Sequence, residues 1–163
     1  VCLDLGEEQL WTEHPKWMLR NYNAYRAWQS IQKISRKPRP KPIVIYIWGP
    51  PGTGKSTKAR DCDEYYVKPS GPWWNGYWGQ RRVIFDDFYS TETYGDMLRW
   101  LSETPINVPI KGSMIPLTST EFYITTNSPF EELYPNMQDK SALKRRITEF
   151  IHMHDFFNKS DKI

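Results

Sequence analysis

Hydrophobic residues follow two different periods along this chain, and the change of period separates two regions. Between residues 14 and 34 the apolar and aromatic residues recur every three or four positions: Trp17, Met18, Tyr22, Tyr25, Trp28, Ile31 and Ile34. This spacing predicts an amphipathic helix, and Pro15 suits its first turn. The stretch 36–42 contains three prolines and four basic residues. Because proline cannot continue a helix, the stretch predicts an extended basic linker.

Beyond the linker, short apolar runs alternate with helical segments. Residues 43–48 are a continuous β-branched and aromatic run with no polar alternation, which is typical of a strand buried on both faces of a parallel sheet. The remaining pattern predicts strands at 65–67, 82–86, 121–126 and 148–156, helices at about 55–60 and 94–103, a short helix ending near Arg146, and a hairpin of the runs 106–110 and 114–118 around 111–113. Strands that alternate with helices indicate an α/β domain with a central parallel sheet. We assign residues 1–40 to a helical element with its linker and 41–163 to this domain.

A glycine-rich motif follows the first predicted strand directly. Residues 49–56 match the phosphate-binding pattern GxxxxGK[ST] in full, between a buried strand and a helix. Backbone N–H groups of such a loop surround nucleotide phosphates, and the helix N-terminus adds a favourable dipole. We expect Lys55 to reach the β and γ phosphates and Ser56 to bind Mg²⁺. The predicted ATP-binding residues are Gly49, Pro50, Pro51, Gly52, Thr53, Gly54, Lys55, Ser56 and Thr57.

Polar residues end two further predicted strands. Asp86 and Asp87 lie about 30 residues beyond the glycine-rich loop, at the distance where phosphate-loop enzymes carry an acidic pair. We predict that Asp86 binds the metal together with Ser56, and that Asp87 acts as general base on the attacking water. Asn127 could orient that water or sense the γ-phosphate. An acidic pair also serves as a turn or cap, and asparagine often begins turns.

Three basic residues are candidates for contacts outside this site. Lys111, at the tip of the predicted hairpin, could contact a nucleic-acid backbone or be a solvated turn residue. Arg145 and Arg146 follow a short helix, and a guanidinium delivered across a subunit boundary would stabilise γ-phosphate charge during hydrolysis. A helix-terminal arginine can also be simply solvated.

Aromatic and histidine residues give weaker signals. The cluster Trp73, Trp74, Tyr77 and Trp78 could stack bases, but the favoured interpretation is that it fastens an irregular loop to the core. His152 and His154 alternate like half a metal site. With no cysteine or third histidine near them in sequence, we assign them to the last strand.

Length and composition limit the kinds of protein to which this chain can belong. The chain has 163 residues, a net charge of +3 and an aromatic fraction of 15%. The length suits one α/β domain with a helical extension, and the mild positive charge permits an anionic partner. No apolar run approaches the roughly 20 residues of a membrane-spanning helix, so we expect no membrane partner. Cys2 and Cys62 cannot form a disulfide framework, which favours a reducing compartment. Because the chain opens with Val1, we expect a fragment of a longer polypeptide.

Taken together, the motifs resemble those of the superfamily 3 helicase domain in replication initiator proteins of circular single-stranded DNA viruses, especially those of circoviruses and cycloviruses. The resemblance covers nearly the whole chain. It depends on GPPGTGKST at 49–57, WWNGYWG at 73–79, VIFDDFY at 83–89, KGS at 111–113, YITTN at 123–127 and RRI at 145–147. One departure is Asn75, where related sequences often have aspartate, and we expect little consequence from it.

The resemblance implies an ATP-dependent DNA helicase with an AAA+-like core, and a homo-oligomeric ring of six subunits with ATP and Mg²⁺ between neighbours. Lys111 matches the hairpin lysine that grips single-stranded DNA in the central channel. Asp86 and Asp87 match the Walker B pair, Asn127 matches sensor 1, and one of Arg145 and Arg146 acts in trans. The segment 14–22 is similar to the start of the helical oligomerisation element. The motifs of the family's upstream endonuclease domain are not found in this sequence. The resemblance also implies that the protein acts in the host nucleus.

Three alternatives to a DNA helicase stay open at this point. A small phosphate-loop kinase fits the length, but it would need an arginine-rich lid and an acceptor pocket. An ATP-gated DNA-binding module would assemble on nucleic acid without unwinding it. RNA could replace DNA as the polymer, since related helicases of RNA viruses share the same motor motifs.

Overall fold

The computed structural model describes residues 7–32 and 39–154. Its chain begins with two helices, α1 (Glu7–Glu13) and α2 (Pro15–Gln32). They pack on each other through a small core of Leu10, Met18 and Tyr25. The predicted amphipathic helix is therefore confirmed, whereas α1 was not predicted. The predicted helix end at Ile34 and residues 36–38 of the linker lie outside the described residues.

A parallel five-stranded sheet forms the centre of the domain, in the order β2-β3-β6-β1-β7. Its strands are β1 (Ile43–Trp48), β2 (Tyr65–Val67), β3 (Arg82–Phe85), β6 (Glu121–Thr126) and β7 (Glu149–His152). The other elements are α3 (Lys55–Ala59), α4 (Tyr94–Trp100), α5 (Ser141–Lys144), a 3-10 turn at Phe130–Glu132 and an antiparallel hairpin of β4 (Asn107–Ile110) and β5 (Ser113–Pro116). The α/β class and the parallel sheet are confirmed.

Side chains of β1, an interior strand, divide between two cores, one on each face of the sheet. Val44 and Tyr46 belong to a large aromatic core, and Ile45 and Ile47 belong to a smaller core that includes Ala59 of α3. Because both faces are covered, β1 can be continuously apolar, as the sequence predicted. This arrangement fixes the carboxyl end of β1, where the glycine-rich loop begins.

Several predicted boundaries were wrong by a few residues. The strand predicted at 82–86 ends at Phe85, and the helix predicted to residue 103 ends at Trp100. The guanidinium of Arg39 explains the early helix end, because it donates to the carbonyl of Trp100 (2.7 Å) and also to the carbonyl of Ser102. A cation at those carbonyls caps the helix from outside.

The hairpin has a tighter turn than the three residues predicted for it. Ile110 pairs with Ser113, so the turn is Lys111-Gly112 alone, with Gly112 at φ +83°. Two-residue hairpin turns need positive φ, which glycine adopts without steric cost. The predicted last strand, 148–156, ends at His152, and its residues 155–156 lie outside the described part of the chain.

Two negative findings concern the described residues only. Over 7–32 and 39–154, no helix is long and apolar enough to cross a membrane. Cys62 is a free thiol, and Cys2 lies outside the described residues.

Candidate active site

The glycine-rich loop connects the carboxyl end of β1 to the first turn of α3. Its glycines at 49, 52 and 54 all have positive φ, which lets the backbone curl around a central space. Lys55 is buried, and its Nζ donates to the carbonyls of Gly49 (2.9 Å) and Pro50 (2.7 Å). Burial lowers the pKa of Lys55, although the charges of Asp87 and Asp86 act to raise it. A cation is thus held inside an anion-binding loop.

Asp86, the first residue after β3, faces this loop. Its Oδ1 accepts hydrogen bonds from the hydroxyls of Ser56 and Thr125, both at 2.6 Å, and its Oδ2 pairs with Arg60. Partial burial alone would raise the pKa of Asp86. The hydrogen bonds from Ser56 and Thr125 and the charge of Arg60 outweigh burial and hold that pKa below its usual range. The carboxylate is therefore charged and fixed in direction.

Asp87 follows in a left-handed conformation with φ 48°, which aspartate tolerates better than most residues. Its backbone N–H donates to the hydroxyl of Thr125 (3.2 Å), and its side chain is exposed toward the loop. The strand register explains this contact: Phe85 pairs with Ile124, so the next residues on both strands meet at the sheet edge. Thr125 thereby contacts both residues of the acidic pair.

Asn127, the first residue after β6, lies in the same cleft. Its Nδ2 donates to the Tyr89 hydroxyl at 2.5 Å. The cleft has a volume of about 570 Å³ and is lined by Pro51, Gly52, Gly54, Lys55, Ser56, Thr57, Asp87, Tyr89 and Asn127. Six of the nine predicted nucleotide-binding residues line it, together with two of the predicted catalytic side chains.

The donor set suits magnesium. Ser56 and Asp86 supply hard oxygen ligands that already lie within hydrogen-bonding distance of each other. Magnesium usually takes only one or two carboxylates and completes its shell with water and substrate phosphates. Among the described residues there is no group of three or more His, Cys, Asp and Glu that could hold a metal by itself.

The first glycine of the loop makes a close backbone contact that gives a stability prediction. A Cβ on Gly49 would lie 2.1 Å from the carbonyl oxygen of Met153, at φ +148°. We expect Gly49→Ala to destabilise the protein by at least about 3 kcal/mol in thermal unfolding. Gly95→Ala is the matched control: it has open space in α4 and should gain up to about 1 kcal/mol in helix propensity. Equal melting temperatures for Gly49→Ala and wild type would contradict this contact.

Arg145 and Arg146 lie near the amino ends of the strands, whereas the cleft lies at their carboxyl ends. They precede β7, and Thr148 N–H donates to the carbonyl of Val44 near the start of β1. The cleft follows the other end of β1, a strand of six residues that is about 20 Å long. Arg146 donates to the carbonyls of Leu98 (3.1 Å) and Ala142 (2.5 Å), whereas Arg145 is exposed and has no side-chain partner among the described residues.

The hairpin is also outside the cleft. Lys111 is exposed at its two-residue turn, and its backbone N–H donates to Asn75 Oδ1 (2.8 Å). An aspartate at position 75 could accept the same hydrogen bond, which gives a structural reason for the small consequence expected of this departure.

The aromatic cluster divides into two pairs. Trp74 and Tyr77 are buried in the core, as predicted, but Trp73 and Trp78 are exposed. Lys68 helps to fasten this segment, because its buried ammonium lies over Trp74 and Trp100 and 3.5 Å from Glu92. His152 lies in β7 and stacks on Trp48, as expected for a strand residue, whereas His154 follows the strand.

Sequence reasoning missed three residues that organise the cleft: Arg60, Thr125 and Tyr89. Arg60 and Thr125 bind Asp86, and Tyr89 binds Asn127. The parallel-sheet prediction could have indicated Thr125, since neighbouring strands end together. Nothing in the spacing indicates Arg60, an exposed residue one turn beyond Ser56.

A parallel sheet with a phosphate-binding loop, a strand-end carboxylate bonded to the loop serine and a strand-end asparagine beside it defines a P-loop NTPase. The family described as RNA helicase matches residues 45–128, and the chain belongs to that family. It is therefore a helicase-type enzyme domain with nucleotide-dependent activity.

Relatives of the chain are viral replication-associated proteins. The one from Beak and feather disease virus is 42% identical over 109 residues, covering 66% of this chain and 38% of that protein. The one from Human associated cyclovirus 1 is 37% identical over 150 residues, covering 83% and 51%. The one from Porcine circovirus 2 is 32% identical over 145 residues, covering 85% and 46%. The chain thus spans about half the length of these relatives or less.

Proposed function

We propose that this chain is the ATP-hydrolysing motor of a viral replication-associated protein and moves along single-stranded DNA. One observation carries the proposal: Ser56 of the phosphate-binding loop and Thr125 of β6 both hydrogen-bond Asp86, which aligns the strand-end carboxylate with the loop. A protein that only binds phosphate does not need this alignment. The similarity to replication-associated proteins supports the viral role, and the host nucleus as its site of action belongs to the same proposal.

The residues of the cleft divide the work of hydrolysis. The loop N–H groups and Lys55 would bind the β and γ phosphates of ATP. Ser56 and Asp86 would hold Mg²⁺, which would neutralise the phosphate charge that develops during hydrolysis. Asp87 accepts a proton from the attacking water. Asn127 orients that water, and Tyr89 holds the amide of Asn127 in place.

The last group that acts in hydrolysis, an arginine guanidinium, comes from another subunit. Arg145 lies three residues before Thr148, which contacts the amino end of β1, whereas its own cleft follows the carboxyl end of that strand, which is about 20 Å long. A guanidinium that contacts the γ-phosphate must therefore belong to a neighbouring copy, as in a closed ring. Arg146 is bonded to its own chain, so we assign the trans role to Arg145 and propose a hexamer.

Lys111 is our candidate for coupling hydrolysis to the polymer. It is exposed at a two-residue turn, which suits charge contact with a phosphate backbone without base recognition. The name of the matching family refers to RNA, whereas the similar viral proteins are named for replication. Whether the chain acts on DNA or RNA therefore needs a direct test.

Strand displacement tests this function. We expect the chain to separate a partial DNA duplex with ATP and Mg²⁺, and to fail with a non-hydrolysable analogue or as Lys55→Ala. Displacement of an RNA duplex but not a DNA duplex would replace DNA by RNA. ATP hydrolysis and DNA binding without displacement would indicate the ATP-gated module, and transfer of phosphate to a small acceptor would indicate a kinase.

A further inference from the structure

Two tryptophans on one short segment are exposed. Trp78 exposes 71% of its surface and Trp73 exposes 46%, whereas Trp74 and Tyr77 between them are buried. An indole left in water forfeits the free energy of burying a large apolar surface. Since the buried pair already fastens the segment to the core, packing of the domain does not account for the exposed pair.

The same segment is fixed along the hairpin that carries Lys111. Trp74 N–H donates to the carbonyl of Pro109 in β4 (2.8 Å), and Asn75 Oδ1 accepts from Lys111 N–H (2.8 Å). Further along, the hydroxyl of Tyr77 accepts from Thr118 N–H (3.0 Å), just beyond β5. Trp73 and Trp78 therefore flank a stretch of backbone that follows the hairpin from its turn to its base.

The anchoring contacts also hold the backbone on either side of the buried pair, next to the exposed rings. Trp73 and Trp78 are each the immediate sequence neighbour of a residue that is buried and hydrogen-bonded to the hairpin side of the domain. Ligand binding to groups that are already ordered loses less conformational entropy. Binding of a flat ligand to Trp73 and Trp78 therefore does not require this backbone segment to become ordered.

We propose that Trp73 and Trp78 form a base-stacking surface for single-stranded nucleic acid whose phosphate backbone contacts Lys111. This inference rests on the proposed function and extends it from charge contact to base contact. Every base offers a π-face, so stacking on tryptophan binds single strands without selecting a sequence, as a motor that moves along the strand requires. Paired bases are stacked within their duplex, so this surface prefers single strands.

Binding as a function of salt separates the two contributions. Affinity of the chain for a labelled DNA single strand of about 20 nucleotides is measured by fluorescence anisotropy at several salt concentrations. We expect Trp73→Ala and Trp78→Ala each to weaken binding about 5-fold or more, with the slope of log affinity against log salt unchanged. Lys111→Ala should make that slope less steep by about 0.7, because the loss of one phosphate contact reduces the number of counterions that binding releases.

Two further variants test stacking against a packing role. Trp73→Phe and Trp78→Phe keep an aromatic face and should retain most of the affinity. Tyr65→Ala, at an exposed aromatic on β2, is the matched control and should bind like wild type. Melting temperatures of all these variants should stay close to that of wild type, since none of the replaced rings belongs to a buried core.

Two results would overturn the stacking surface. One is wild-type affinity in both tryptophan-to-alanine variants while Lys111→Ala binds weakly. The other is a loss of oligomer in sedimentation with unchanged DNA affinity, which would assign the tryptophans to contacts between copies. An unchanged salt slope in Lys111→Ala would instead overturn the hairpin's role in the proposed function, whatever the tryptophan variants do.

Discussion

Arg145→Ala is expected to slow ATP hydrolysis by about 10³-fold while leaving the fold intact. The side chain is exposed and has no partner among the described residues, so its removal leaves nothing unsatisfied in its own chain. At a subunit boundary, the same guanidinium would stabilise charge on the γ-phosphate of the neighbour. The effect should appear in steady-state phosphate release, with ATP binding nearly unchanged.

Neighbouring cations supply the controls for Arg145. Lys144→Ala removes an exposed charge one residue away and should hydrolyse ATP like wild type. Arg146→Ala removes hydrogen bonds to Leu98 and Ala142 and should lower the melting temperature instead. Wild-type hydrolysis by Arg145→Ala, at protein concentrations where wild type is fully assembled, would remove Arg145 from the mechanism.

Asp87→Asn is expected to keep ATP binding and to lose hydrolysis by at least about 100-fold. The substitution replaces one carboxylate oxygen by an amide group of similar size, so it removes the proton acceptor and the negative charge that acts on Lys55, and keeps the shape of the side chain. Asparagine is the best choice because Asp87 has φ 48°, a conformation that asparagine also tolerates and alanine resists. The backbone hydrogen bond to Thr125 is unaffected.

Equilibrium binding of a fluorescent ATP analogue and single-turnover hydrolysis separate the two properties of the Asp87 variant. Asp63→Asn is the matched control, since Asp63 carries the same group at an exposed site outside the cleft. If Asp87→Asn hydrolyses ATP at the wild-type rate, another group must accept the proton.

The parts of the fold that depend on local pattern could be predicted from the sequence. The apolar run at 43–48, the glycine motif after it and the acidic pair at 86–87 each lie within one short segment. Because a parallel sheet aligns the carboxyl ends of its strands, those segments were expected to meet, and Ser56 and Asp86 do meet at 2.6 Å. The meeting of these segments in one cleft therefore followed from the order of the motifs.

Features that depend on contacts between distant segments could not be predicted. Arg39 ends α4 from a linker 61 positions away from Trp100, and no periodicity contains that contact. Nor does a run of aromatics show which rings will be buried: Trp74 and Trp78 have the same side chain, yet only Trp74 packs against Trp100 and Phe85. The pairing of Arg60 with Asp86 is likewise a contact between separate segments that no local pattern shows.

A mixing experiment tests the central claim, that ATP is hydrolysed between subunits, most directly. Lys55→Ala cannot hold ATP phosphates but keeps Arg145, whereas Arg145→Ala keeps an intact cleft but lacks the guanidinium. Each variant alone should be nearly inactive in phosphate release with single-stranded DNA present. Mixed and allowed to assemble, they should recover a substantial part of wild-type hydrolysis, because some boundaries then combine an intact cleft with an intact Arg145. A mixture no more active than its two components, with mixed oligomers shown to form, would contradict the claim.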